Sequence, residues 1–178
     1  GCCHGCLYCD SRSACYQNPD FDTVKAKADA LRILRDDLAR KVRPAFIATG
    51  AMSDPYNPFE ASLQLTRHAL ELIDAYQCGA AIATKSDLIV RDGDILDSIA
   101  RHSPVICKLT ITTTDDALAA RLEPGAPSPS RRLAALRELA DRGLFAGVLL
   151  MPVLPFLEDT EENVLEVVER AAEAGASF

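Results

Sequence analysis

Hydrophobic positions along this chain come in two kinds of run. Residues 46–49 (Phe-Ile-Ala-Thr) form a short apolar stretch bounded by Pro44 and Gly50, and residues 80–84, 104–112 and 144–151 repeat the theme, the last stopped by Pro152 and Pro155. Such runs, closed by Gly and Pro, predict buried strands. Between them apolar residues recur at helical spacing with charge on the opposite side. Leu31, Ile33, Leu34 and Leu38 mark a helix over 29–41, and Leu63, Leu70, Ile73 and Tyr76 mark one over 60–77. A short helix is expected over 94–101, another over 130–142, and a last one opening at Asp159-Thr160-Glu161-Glu162. Gly79 and Gly143 supply helix stops, Ser128 or Ser130 a cap for the fourth helix, and Asp159 or Thr160 a cap for the last. Residues 22–26 read as a short extended piece.

Strands alternating with helices over short connections imply parallel strands, in either a doubly wound sheet or a barrel. The unusual residues follow the strands, at Gly50, Thr84, Thr112 and Met151. In an α/β barrel the loops after the strands all open on the face that carries chemistry, and this distribution favours the barrel.

Composition narrows the class. With 178 residues, 48% hydrophobic and 25% charged, the chain has the size and balance of one globular domain. No apolar run reaches membrane-spanning length and no signal peptide opens the chain. It begins without Met on a cysteine motif and stops at Gly175-Ala176-Ser177-Phe178, where a strand is starting, so it reads as a fragment of a longer protein. Seven unevenly clustered cysteines are no disulfide framework, and a reducing cytoplasm is expected. Cys78 and Cys107 stand alone and read as buried, inert thiols. A net charge of −7 disfavours a broad nucleic-acid-binding face but leaves room for a local basic groove.

Chemistry concentrates at the start, in Gly1-Cys2-Cys3-His4-Gly5-Cys6-Leu7-Tyr8-Cys9-Asp10. Cys2, Cys6 and Cys9 are spaced C-x3-C-x2-C, with an aromatic residue, Tyr8, just before the last cysteine. Three thiolates on one loop can hold three irons of a [4Fe–4S] cube and leave the fourth iron to bind something other than protein, whereas an electron-transfer cube normally has four cysteine ligands. Taken by itself the loop also suits zinc, with Cys2, His4, Cys6, Cys9 and Cys15 as donors. A C-x2-C-x2-C register through Cys3 is open as well, although Ser13 stands where its fourth cysteine would fall.

The loop resembles the cluster loop of the radical S-adenosylmethionine (SAM) enzymes. The stretches CDSRSACYQNP, TGAMSDPYNPFE, TKSDLIVRD, TITTTDD, LEPGAPSPSRR and MPVLPFLEDTEEN resemble, in this order, a group related to spore photoproduct lyase. That resemblance implies a partial (β/α)6 TIM-like barrel truncated at both ends: its first strand would precede Gly1 and its sixth would barely begin. It implies a [4Fe–4S] cluster on Cys2, Cys6 and Cys9, and S-adenosyl-L-methionine, reductively cleaved to a 5′-deoxyadenosyl radical that abstracts hydrogen from a substrate, in the related group a DNA lesion. It further implies an external electron donor of flavodoxin or ferredoxin type.

The same resemblance distributes contacts to SAM. Tyr8 belongs to the cluster loop, Ser53 and Asp54 fall where the family contacts the methionine amine, and Lys85 falls where a lysine pairs with the carboxylate. Thr112, with Thr113 in reserve, lies where the ribose is held, and the loop from Met151 to Pro155 lies near adenine. Each stretch also has a plain structural reading: Asp-Pro and Asn-Pro make turns, and threonine is a strand former. Arg91 and Asp92 read as readily as a local ion pair or helix cap as they do as ligands. Glu123, Arg131 and Arg132 read first as a structural salt bridge. His68 and His102 read as surface residues, and His4 as a neighbour of the cluster.

Overall fold

Four short apolar runs pair side by side into one parallel sheet in chain order: β1 (Phe46–Thr49), β2 (Gly79–Thr84), β3 (Val105–Thr110) and β4 (Phe145–Leu149). The structure is a computed structural model and describes residues 1–40 and 45–178. Pro44 and Lys41, named above as a strand boundary and a helix end, lie outside the described residues. Register pairs Ala48 with Ala81, Ile82 with Cys107, and Leu109 with Val148, so the small and branched side chains of neighbouring strands lie level. Because all four strands run the same way, the segments that follow them emerge at one edge. The backbone of Ser177 and Phe178 lies along β4, bonded to Ala146 and Val148.

Seven helices occur among the described residues: α1 (Ala30–Arg40), α2 (Glu60–Leu63), α3 (Leu65–Ala75), α4 (Gly93–Ala100), α5 (Asp116–Leu122), α6 (Pro129–Asp141) and α7 (Glu161–Glu173). Their inner faces bury Leu70 and Ile73 of α3, Leu96 and Ile99 of α4, and Leu136 and Leu139 of α6 against Ile82, Cys107, Leu109 and Ala146 of the sheet. This α/β arrangement is consistent with a partial TIM-like barrel. Ser128 caps α6 through Arg131 N, and Thr160 caps α7 through Asn163 N. Cys78 and Cys107 are fully buried, and burial pushes the Cys107 thiol up to about 12.

Three local expectations are corrected. The helix expected over 60–77 breaks at Gln64, whose backbone is left-handed (φ 52°); this places Leu63 on the exposed α2 and leaves only Leu70 and Ile73 of its face buried. The extended piece expected over 22–26 begins in a turn, Thr23 N bonding to Asp20 O, and joins no sheet; all but Val24 of its residues are exposed. α5 was not expected. Asp115 caps that helix, accepting from Ala117 N and Leu118 N at 2.8 and 3.0 Å.

Candidate functional site

At the edge where the strands end lies a cavity of ≈ 340 Å³. Cys2, His4, Cys6 and Cys9 line one side; Ser53 and Asp54 after β1, Thr84 and Lys85 at the end of β2, Thr110 of β3, and Leu149 and Met151 at the end of β4 are among the residues that line the others. Gly50 makes the turn after β1 possible. Its φ is +93°, and a Cβ there would stand 2.0 Å from the Ala83 carbonyl oxygen, so only glycine lets the loop cross β2 this closely. The cavity takes Cys2 of the alternative registers; Cys3 and Cys15 do not line it.

The thiol loop is held from three sides. Cys2 N donates to Phe21 O at 3.0 Å, and the Arg12 guanidinium, itself paired with Asp22, donates to Cys6 O at 2.9 Å. On the far side, Leu7 N donates to Leu122 O and Gly125 N to His4 O, both at 2.8 Å. A Cβ at Gly125 would stand 2.6 Å from the Cys3 carbonyl oxygen, so this approach too requires glycine. Burial, opposed by Lys85 and reinforced by Glu123, Cys2 and Cys9, pushes the Cys6 thiol up to about 11. A metal captured here therefore displaces a proton from Cys6.

Behind the wall, Asp54 gathers the neighbouring elements. Its carboxylate accepts Tyr56 N at 2.9 Å, the Thr84 hydroxyl at 2.6 Å and Lys85 N at 2.7 Å. His4 Nε2 lies 3.1 Å from its Oδ2, close enough for an ion pair though off the line of a well-directed hydrogen bond. His4 Nδ1 faces the Gly125 carbonyl at 3.0 Å, and a carbonyl only accepts, so that nitrogen carries a proton. The other nitrogen faces the Asp54 carboxylate, which favours the protonated ring. Burial opposes both charges, yet contact with Asp54 holds His4 above its ordinary value. His4, Lys85 N and Thr84 in turn hold Asp54 below its own.

A second buried centre is Glu123, 2% exposed. It pairs with Arg132, whose guanidinium also donates to Pro127 O at 2.8 Å and Thr110 O at 2.9 Å, and it accepts the Tyr8 hydroxyl. Lys85 Nζ stands 3.7 Å from Glu123 Oε1 and 5.4 Å from the Tyr8 ring centre. A third is Glu158. Its Oε1 accepts the Thr112 hydroxyl at 2.7 Å, its Oε2 is buried with no hydrogen-bond partner, and burial, only partly offset by Thr112, raises its carboxyl above the ordinary value.

The expected site residues are thus distributed as follows. Cys2, Cys6, Cys9, Ser53, Asp54 and Lys85 come together on one cavity. Tyr8 stands behind it on Glu123. Thr112 and Thr113 are buried outside the lining, one on Glu158 and the other accepting Asp115 N at 3.1 Å, while Thr110 lines the cavity at that strand end. His68 and His102 are exposed and pair with Glu71 and Asp74. Arg91 and Asp92 do form an ion pair, and Asp92 also accepts the Tyr56 hydroxyl at 3.0 Å. The roles of Tyr56 and Glu158 had no signal in the spacing of the chain; His4, set among cysteines, had one.

Three thiols on one wall, with no fourth cysteine lining it, fit a [4Fe–4S] cluster that leaves one iron to another ligand. Among the described residues, no three His, Cys, Asp or Glu side chains are already drawn into a closed metal-binding group. No helix among them is long and apolar enough to cross a membrane.

Comparison with known proteins gives the same direction. The family model described as the radical SAM superfamily matches residues 1–168. An uncharacterized protein of Mycobacterium tuberculosis is 33% identical over 184 residues, covering 99% of this chain and 54% of its own length. One of Methanocaldococcus jannaschii is 32% identical over 164 residues, covering 90% and 60%. The chain therefore spans about half the length of the curated relatives it matches. Among solved structures, spore photoproduct lyase complexed with dinucleoside spore photoproduct superposes with a TM-score of 0.68 at 20% identity, over 98% of this chain and 49% of the other. Streptococcus suis SuiB bound to S-adenosylmethionine does so with 0.58 at 19%, over 88% and 33%. Likeness at this level is likeness of fold.

Proposed function

Because the chain belongs to the radical SAM superfamily, we propose that it is the core of an enzyme that holds a [4Fe–4S] cluster on Cys2, Cys6 and Cys9 and reductively cleaves S-adenosylmethionine to a 5′-deoxyadenosyl radical. The observation that carries this reading is one cavity lined at once by the three thiols, Ser53, Asp54 and Lys85. When bound, the cluster supplies the electron that breaks the carbon–sulfur bond of the sulfonium.

The chain's own residues supply the cradle. Lys85 meets the methionine carboxylate as a point charge and Ser53 offers its hydroxyl to the amine. Asp54 acts chiefly by fixing the strand ends around the ligand, since four protein groups already face its carboxylate. Thr110 and Met151 close the side toward the nucleoside. Thr112 and Thr113 support that side from behind the wall, through Glu158 and Asp115, and Tyr8 supports the Lys85 side through Glu123. The electron arrives from an external flavodoxin- or ferredoxin-type donor, in keeping with a reducing cytoplasm and seven free thiols.

The substrate class to try first is a dinucleoside lesion, because one protein of this fold was solved with dinucleoside spore photoproduct. The net charge of −7 leaves a local groove, not a broad face, for such a ligand. In the full-length protein, reconstituted anaerobically and reduced with dithionite, S-adenosylmethionine is expected to yield 5′-deoxyadenosine by chromatography. An intact cluster that yields none would return the protein to a structural or electron-carrying role.

A further inference from the structure

Lys85 stands at the cavity wall, and its surroundings behind the wall decide how available its ammonium is. Glu123 is buried, and its Oε2 is committed to Arg132, which two backbone carbonyls hold in place. Its Oε1 faces Lys85, and the same Oε1 receives the Tyr8 hydroxyl. The separation from Lys85 Nζ is 3.7 Å, within ion-pair reach but beyond a hydrogen bond. Glu123 and Tyr8 do not line the cavity, whereas Lys85 does. One carboxylate between two cations also leaves a positive charge in excess, and Lys85 is the member that faces the cavity.

We propose that Glu123 and Tyr8 are positioning residues that set the grip of Lys85 on a ligand carboxylate. Tyr8 donates to the Glu123 oxygen that faces the ammonium and draws off part of its charge, so Lys85 is held less tightly there and stays free to pair in the cavity. The backbone around Glu123 docks the thiol loop through Leu122 O and Gly125, so this adjustment is built into the contact that seats Tyr8 beside Lys85.

The inference rests on the proposed binding of S-adenosylmethionine, and its test separates the two. Cluster-loaded full-length protein is titrated with S-adenosylmethionine and with its decarboxylated analogue, followed by the electron paramagnetic resonance of the reduced cluster; the ratio of the two affinities measures the carboxylate preference. Iron content is recorded for every variant. Tyr8→Phe frees Oε1 to draw Lys85 back, so the preference falls, by roughly three- to tenfold for one charge-assisted contact. Glu123→Gln removes the competing carboxylate, so the preference rises. Opposite signs are the signature, because a merely structural role would weaken both ligands alike in both variants. Should Glu123→Gln fail to fold, Tyr8→Phe, which leaves the Glu123–Arg132 pair intact, decides alone by a falling ratio. An unchanged ratio, or shifts of the same sign, overturns the inference while binding by the unaltered protein stands. No binding of either ligand by the unaltered protein removes the functional reading and this inference with it.

Discussion

On the thiol side of the cavity, the buried ionisable groups stand within ion-pair reach of one another, although His4 Nε2 makes no hydrogen bond. His4 faces Asp54, Glu123 faces Arg132, and both carboxylates reach across to β2 through the Lys85 amide and ammonium. On the β4 side the picture reverses. Glu158 is buried with one oxygen unpartnered, and the loop around it exposes Met151 (62%) and Phe156 (94%). The first side spends its polar groups on fixing protein to protein, which suits a loop that must hold its sulfurs in place. The second keeps polar and apolar groups uncommitted, which suits the side proposed above to meet a nucleoside and a substrate. Buried polar groups without partners are costly, and they persist where something other than stability retains them.

That contrast can be broken in order of expected effect. Replacing Cys6 by serine removes a thiolate donor from the middle of the loop, and iron per chain after reconstitution should fall to near zero; Cys3→Ser should keep it. Arg132→Met leaves Glu123 buried without its guanidinium, at a cost of roughly 3–5 kcal/mol by urea unfolding, the range for halving a buried pair. Glu158→Gln should behave oppositely and depend on pH. The Glu158 carboxyl is raised, so the folded state binds its proton more tightly than the unfolded chain does. Wild-type stability attributable to this group therefore falls as pH rises from the ordinary value of 4.5 through the folded one. Subtracting the two unfolding curves should show the glutamine variant gaining on wild type with rising pH; a flat difference contradicts this. Phe156→Ser, on the exposed loop, should shift stability by no more than about 0.5 kcal/mol.

The same division explains what the sequence could disclose. The four strands and the Gly143 stop were readable because burial on a sheet and a left-handed turn leave marks within a few residues. The thiol triplet was readable because its spacing is local. The pairing of Tyr8 with Glu123, 115 residues apart, and of His4 with Gly125, 121 apart, depends on how the loop docks, and no local pattern carries it. At the end of β3, period-two alternation left Thr112 and Thr113 undecided; the chain leaves the strand after Thr110, so alternation no longer applied and both turned inward. α5 went unseen because seven residues hold too little periodicity, although Asp115 was its cap in plain view. Glu60 likewise gave no warning that its side chain, bonded to Arg67 N and Arg91, would accompany a break at Gln64.

The central claim, three protein thiolates and one iron left for the ligand, is tested most directly on the reduced full-length protein with S-adenosylmethionine labelled by nitrogen-15 at the amine and oxygen-17 at the carboxylate. Electron–nuclear double resonance should show both nuclei coupled to the cluster; with unlabelled ligand the oxygen-17 coupling should vanish and the nitrogen-15 lines should give way to those of nitrogen-14. A cluster signal unchanged by the ligand, with no coupling to either nucleus, would contradict it.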